Sequence, residues 1–350
     1  LLVLDEPTAV LTPQETKELF VAIRNLVAED KAVIFISHKL NEVMEISKVI
    51  TILHLGRVIK TVGVCDTNAR DLANMMVGRE VCWEMNKADQ EPGEAMLEVS
   101  DLRAADAKGV ETVRGLNLTV RAGEVYGIAG VDGNGQSELV RGICGLCKKT
   151  GSVFIAGADV TKAAPRQILD KGVAHIPEDR QGMGVVMQMP IRQNLVLDTF
   201  YDEKFGKGVF LDWKAVDAHA EYFVEHYDVK TPNTDNDIRS LSGGNQQKLV
   251  VGRELDKKPR LLFAVHPTRG VDVGATLFIH EQIIAARDSG CAVLLVSTEL
   301  DEIMELSDRI GVIYEGVILG EMDRADATYE KIGLLMAGKK EKERAAEAAC

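Results

Sequence analysis

The sequence predicts an α/β fold, with a mostly parallel core sheet accompanied by an antiparallel β subdomain and a helical subdomain. Three observations carry this. Short unbroken apolar runs, residues 1–4, 32–36 and 261–264, suit parallel strands buried on both faces. A glycine-rich loop at 130–137 sits between an apolar strand and an apolar-periodic helix, the context a phosphate-binding turn requires. Finally, residues 1–80 match residues 261–340 without gaps, with about a quarter of positions identical, which reads as two copies of one unit.

Each element follows in order. After the opening strand, residues 13–28 show helical spacing, with Leu19, Ala22, Ile23 and Leu26 on one side. The run 32–36 is the next strand and 40–46 a short helix. Strands 49–53 and 58–62 flank a Gly56 turn as a hairpin, and 68–77 closes the unit with a helix. Residues 84–94 are polar and punctuated by Pro92-Gly93, so they read as a linker. Residues 96–120 are expected to be antiparallel strands, 124–129 a strand into the glycine loop, and roughly 195–250 the helical part. Residues 261–338 repeat the opening, and the charged, alanine-rich tail 339–350 reads as a frayed helix.

The loop Gly130-Val131-Asp132-Gly133-Asn134-Gly135-Gln136-Ser137 has complete phosphate-loop spacing. Gly130, Gly133 and Gly135 let backbone N–H groups wrap phosphates, and Ser137 can reach Mg²⁺. The expected lysine is replaced by Gln136, a donor without charge. A second anion-binding element is Leu241-Ser242-Gly243-Gly244-Asn245-Gln246-Gln247-Lys248, where two bare glycines open a helix at its positive end.

The two copies differ where chemistry is expected. The first ends its strand in Asp5-Glu6 and carries Ser37-His38; the second has Val265-His266 and Ser297-Thr298. Asp5 can orient Mg²⁺ through its waters, Glu6 can act as general base on a water, and His38 can hold Glu6 in line. Valine and threonine offer none of this, and a histidine is no carboxylate base.

With these residues in place, the chain resembles the tandem ATP-binding subunit of ABC importers for simple sugars or nucleosides, built from P-loop NTPase-type ABC ATPase domains. The resemblance is carried by 241–248, 130–137, Ile176-Pro177-Glu178-Asp179-Arg180, Pro267-Thr268-Arg269-Gly270-Val271-Asp272 and residues 4–8. Gln136 and the segment Asn74-Met75-Met76-Val77-Gly78-Arg79-Glu80 resemble the nucleoside branch more than the ribose/galactose branch. The resemblance implies a first domain at 1–83, a linker at 84–95, a second and catalytically degenerate domain at 96–338, and a tail at 339–350.

It also implies roles. Ser242, Gly243, Gly244 and Gln246 would complete a hydrolytic site with Glu6 and His38, with Asp5 serving Mg²⁺ there and Ser137 serving Mg²⁺ from the loop of the other site. Gly130, Gly133, Gly135, Gln136 and Ser137 would line a second site beside Val265, His266 and Thr298. Glu178 would lie on the coupling surface at 176–184. ATP and Mg²⁺ are the implied cofactors, and two membrane permease subunits with an extracytoplasmic solute-binding protein the implied partners. The expected place is the cytoplasmic face of the membrane. Leu1 is not a methionine, and the first copy lacks its own phosphate and signature loops. A front truncation, with little ATPase activity in the chain alone, is therefore expected.

Composition sets the exclusions. A net charge of −13 and a pI near 5.1 oppose nucleic-acid binding, which needs clustered cations. No apolar run reaches the roughly 18 residues of a membrane span, and no signal-peptide pattern opens the chain. Six scattered cysteines suggest no disulfide framework, and Cys144-Gly145-Leu146-Cys147 lacks the second pair a zinc site would need. Two other classes compete with the transport reading. A soluble tandem protein working on ribosomes or DNA would need basic surfaces; a non-catalytic remnant would need only the degenerate site.

Overall fold

The computed structural model describes residues 1–8, 11, 13–54, 56–77, 87–207 and 210–339. Cys82, Cys350, the tail beyond Lys339, linker positions 84–86 and the match at residues 78–80 lie outside them.

The first repeat runs β1 (Leu2–Asp5), α1 (Pro13–Ala28), β2 (Val33–Ile36), α2 (Leu40–Ile46), β3 (Val49–His54), β4 (Arg57–Gly63) and α3 (Ala69–Val77). The middle of the chain continues with β5 (Ala95–Ala105), β6 (Glu111–Arg121), β7 (Val125–Ala129), α4 (Gln136–Ile143), β8 (Lys149–Ile155), β9 (Ala158–Asp159), α5 (Pro165–Leu169) and β10 (Val173–Ile176). Then come α6 (Ile191–Leu195), β11 (Gly206–Lys207), β12 (Phe210–Leu211), α7 (Trp213–His226) and α8 (Gly243–Asp256). The second repeat is β13 (Leu261–Val265), α9 (Val273–Asp288), β14 (Ala292–Ser297), α10 (Leu300–Leu306), β15 (Arg309–Tyr314), β16 (Val317–Asp323) and α11 (Tyr329–Met336). Its seven elements follow the same order as the first seven.

A six-stranded sheet in the order β10-β13-β14-β7-β15-β16 forms the core, parallel except for the β15–β16 hairpin. Strands β13 and β14 are buried at every residue, as double-sided packing demands of Leu, Ile and Val runs. Strands β6-β5-β8-β9 make the antiparallel sheet, and α6 to α8 supply the helical part. The expected α/β class and its three parts are all present.

Two expectations about the first repeat need correction. Its opening strand is not buried on both faces: among the described residues β1 pairs only with β2, and Leu2, Val3, Ile34 and Ile36 are exposed. An apolar run specifies a preference for burial, but a two-stranded sheet has too few flanking elements to cover both of its faces. The α1 face is also rotated. Phe20 and Ile23 are the buried residues, while Ala22 is exposed, because Phe20 meets Phe35 edge-on at 5.9 Å.

The first repeat rests on the second through α2 and α3. Ala73 of α3 packs with Val273 and Leu277 of α9, joined by Leu40 and Met76. Lys39 Nζ lies 2.7 Å from a Glu299 carboxylate oxygen. Lys87 pairs with Asp308 at 2.7 Å and donates to the Leu306 carbonyl at 2.9 Å, so the linker end is also tied down.

Candidate functional site

The phosphate loop leaves the fully buried β7 and enters α4. Gly135 has φ +98°, and a Cβ there would lie 2.3 Å from the Thr112 carbonyl oxygen, so both the turn and the close approach demand glycine. Gln136 is buried within the loop. Its amide donates to the Val131 carbonyl at 2.8 Å, and its carbonyl accepts from the Asn134 N–H at 3.0 Å. Asn134 is anchored in turn, donating to the Val131 carbonyl at 2.9 Å and accepting from the Glu315 N–H at 2.8 Å. The loop is therefore self-capped: one N–H that could face a phosphate is already satisfied, and no cation replaces it.

A cleft of about 440 Å³ opens beside the loop, lined by Asp132, Gly133, Gln136, Ser137, Glu178, Asp179, His266 and Arg269. The Ser137 hydroxyl donates to one oxygen of Glu178, and Arg141 donates to the other at 3.1 Å. Glu178, expected on a coupling surface, thus sits partly buried against the phosphate loop. Asp132 pairs with Arg269 at 3.1 Å and lies 3.8 Å from His266 Nε2. Burial lowers the pKa of His266 and Asp132 only partly opposes this, so the imidazole is neutral at pH 7. Among these lining residues there is no Phe, Tyr or Trp.

The first repeat presents the equivalent strand end with a different chemistry. Glu6 and His266 hold the same left-handed conformation, φ +44° and +47°, and donate their N–H groups to Ile36 and Val296 carbonyls at 2.9 and 2.7 Å. In the first repeat His38 Nδ1 lies 2.8 Å from a Glu6 carboxylate oxygen. That is hydrogen-bond reach for a base and its orienting partner. Asp5 ends β1 with an exposed side chain. In the second repeat the matching Val265 is buried.

Behind each strand end is a brace that sequence reasoning missed. Thr8 donates to Glu42 at 2.6 Å, and Thr268 donates to Glu302 at 2.7 Å. The identical Thr and Glu at matching repeat positions were the available signal. Only the second repeat adds a buried histidine: His280 Nε2 lies 3.1 Å from Glu302 and Nδ1 lies 3.4 Å from Glu305. Burial disfavours the imidazolium, but these two carboxylates outweigh it and raise His280 to about 9. Burial also pushes Glu302 up, yet bonds to His280, Ser297 and Thr268 hold it below the usual range. Glu42 is shifted up instead, because burial outweighs the Thr8 hydrogen bond and the nearby Lys39 ammonium.

The signature-like loop opens α8. Ser242 caps the helix by accepting from the Asn245 N–H at 3.4 Å, and its hydroxyl also receives the Asn245 amide at 2.9 Å. A Cβ on Gly243 would lie 2.9 Å from the Arg180 guanidinium, and one on Gly244 would lie 3.0 Å from an Asp272 oxygen. Arg180 itself donates to the Arg269 carbonyl at 2.8 Å. Gln246 is buried and its amide donates to the Ile238 and Leu241 carbonyls at 3.3 and 3.1 Å, so it shapes the loop from behind. Among the described residues, no hydrogen bond or ion pair joins Asp5, Glu6 or His38 to residues 242–244. The structure thus brings Gly130, Gly133, Gly135, Gln136, Ser137 and Glu178 together, and separately Glu6 with His38.

Residues 113–269 match the family model described as ABC transporter. The guanosine import ATP-binding protein NupO of Bacillus subtilis (strain 168) is 47% identical across 98% of this chain and 68% of its own length. The chain belongs to the ABC transporter ATP-binding family. Its members are ATPases. Nucleoside import ATP-binding protein NupA of Lactococcus lactis subsp. cremoris (strain MG1363) is 44% identical over 97% of the chain and 67% of its own length. Glucose import ATP-binding protein TsgD13 of Haloferax volcanii is 46% identical over 97% of the chain and 62% of its own length. The chain therefore spans about two thirds of these relatives. Among solved structures, a dimeric ATP-binding cassette with bound ADP and Pi superposes with a TM-score of 0.57. It shares 18% identity and covers 65% of this chain and 99% of its own. At that identity the likeness speaks for the fold alone.

Mg²⁺ is a hard cation that takes oxygen ligands and keeps waters, leaning on substrate phosphates. The donors here fit unequally. Asp5 offers an exposed carboxylate at a strand end, whereas Val265 at the matching position offers no oxygen and Ser137 is already bonded to Glu178. Among the described residues no three His, Cys, Asp or Glu side chains are placed to hold a metal by themselves. No helix of the described residues is long and apolar enough to cross a membrane.

Proposed function

We propose that the chain is part of the energy-coupling ATP-binding subunit of an ABC importer, acting on nucleosides in preference to simple sugars. Each repeat is read as belonging to its own ATPase domain, with ATP hydrolysed at one composite site only. The observation that carries this is the asymmetry of two strand ends that match in the repeat. One holds Glu6 with His38 at 2.8 Å; the other holds a buried valine and a neutral histidine.

In the competent site Glu6 takes the proton of the attacking water, and His38 keeps its carboxylate aimed. Asp5 orients the waters of Mg²⁺, which supplies positive charge to the phosphates when bound. Ser242 and the N–H groups of Gly243 and Gly244 face the γ-phosphate from the opposite domain, with Gln246 and Arg180 holding that loop in shape. In the second site the self-capped loop of Gln136 binds nucleotide weakly. Glu178, bonded to Ser137, links the state of that loop to the 176–184 segment that faces the permeases. The extracytoplasmic solute-binding protein and two permease subunits complete the assembly, and they choose the solute.

Support for nucleosides comes from NupO and NupA, whose names specify guanosine and nucleoside import, although TsgD13 of similar identity is a glucose import protein. Uptake of labelled guanosine, ribose and glucose in cells lacking the gene tests the reading. Loss of guanosine uptake, restored by the wild-type gene and not by Glu6→Gln, is expected. Loss of sugar uptake alone would overturn the nucleoside assignment, and full rescue by Glu6→Gln would overturn the catalytic one.

A further inference from the structure

Two contacts between the repeats join positions that are equivalent within them. Lys39 pairs with Glu299 at 2.7 Å, and Asn41 donates to Asp301 at 3.5 Å; each pair is separated by the repeat offset itself. A residue can meet its own equivalent only on a two-fold axis, where the same patch of each partner faces the other. α2 and α10 therefore meet about a local two-fold axis. At such a place a symmetric pairing would oppose identical side chains, and this chain has instead placed opposite charges there.

We propose that the Lys39–Glu299 contact, with Asn41–Asp301 beside it, is a pairing key. It lets the two unlike repeats of one chain meet and bars either repeat from meeting its own kind in a second copy of the chain. The geometry supplies both halves of the selection. In the observed contact Lys39 bridges Glu299 at 2.7 Å and its own Glu42 at 3.9 Å, so the cation sits between two carboxylates. Pairing of two first repeats would set Lys39 against Lys39. Pairing of two second repeats would crowd two Glu299 and two Asp301 carboxylates on one axis. Like charges so placed are a standard means of rejecting a wrong partner, and a half-exposed pair contributes more to this choice than to raw stability. The hydrophobic contact of Ala73 with Val273 and Leu277 supplies adhesion beside the charged pair.

The test uses the whole chain and a zero-length carbodiimide cross-linker, which joins only an amine and a carboxylate already in contact. In a mixture of isotopically heavy and light protein, a 39–299 cross-linked peptide that is all heavy or all light is expected. Mixed-isotope peptides would show that the contact lies between copies and would overturn the proposal, as would absence of this cross-link while other ion pairs react. The selection is tested by charge reversal. Lys39→Glu and Glu299→Lys should each raise the accessibility of the contact several-fold in amine or carboxylate labelling, and the double reversal should restore protection and the cross-link. Mixing the two single variants should then produce a new intermolecular cross-link between position 39 of one and position 39 of the other. If that mixture gives none, or if the single reversals leave labelling unchanged, the pairing key is refuted.

Discussion

Replacing His280 by Phe removes the cation of the buried brace behind the second strand end. The volume is tolerated in the equivalent place, since Phe20 occupies it in the first repeat and is fully buried. The charge is the issue. His280 rises from 6.5 to about 9 on folding, and at roughly 1.36 kcal/mol per unit this amounts to about 3 kcal/mol of interaction with Glu302 and Glu305. Breaking one side of a buried pair typically costs about 3–5 kcal/mol, because the remaining charge is stranded. Urea unfolding at pH 7 should therefore show His280→Phe less stable by about 3 kcal/mol, a midpoint lower by about 1 M at an m-value near 3 kcal/mol/M. The pH dependence follows from the shifts. His280 is raised, so its contribution is complete below about 6.5 and is lost as pH climbs through about 9. Glu302 is lowered in the wild type, so its contribution is lost on the acid side of its ordinary value. In the variant Glu302 should shift upward, as Glu42 does, and take a proton at mildly acidic pH. The stability gap is thus widest near neutrality and narrows towards pH 5 and pH 10. Adding Glu302→Gln to His280→Phe should recover most of the loss at pH 7. A single variant within about 1 kcal/mol of wild type at pH 7, or a gap independent of pH, would refute the paired-charge reasoning.

Other outcomes follow from the same geometry. Gly135→Ala puts a Cβ 2.3 Å from the Thr112 carbonyl in a left-handed turn, which costs at least about 1–2 kcal/mol and should displace the loop; fluorescent nucleotide binding should fall below detection. Thr268→Ala removes a hydrogen bond to a buried carboxylate and should lower stability by about 1.5–3 kcal/mol in urea titration, more than Thr8→Ala, whose acceptor is better solvated. Cys65 is exposed and should react quickly with a thiol reagent in the folded protein. Burial lifts Cys144 to about 12, so its reaction should wait for unfolding.

Much of this was legible before the structure. The ungapped repeat placed Asp5, Glu6 and His38 against Val265, His266 and Thr298, and Glu6 and His266 do share a left-handed backbone, φ +44° and +47°. The phosphate loop was readable because glycine, strand and helix fall at spacings that only backbone geometry requires. The Gln136 substitution showed a missing charge but not the self-cap, because which carbonyl an amide finds depends on loop closure. Long-range partners were invisible for the same reason: Glu178 with Ser137, Asp132 with Arg269, and His280 with Glu302 are each set by how strands are ordered in the sheet. The exposed β1 marks the opposite failure. An apolar run states what a strand would bury, and only the neighbouring layers decide whether it does.

The measurement closest to the centre of this account is the affinity of the chain for a fluorescent ATP analogue, compared between wild type and Gln136→Lys. The substitution frees the Asn134 N–H from its internal acceptor and adds a charge aimed at the phosphates. A charge-assisted hydrogen bond of about 1.5–3 kcal/mol corresponds to binding roughly ten-fold to a hundred-fold tighter, and that is the predicted result. Equal affinity in the two proteins would contradict the assignment of residues 130–137 as a phosphate cradle disabled at Gln136.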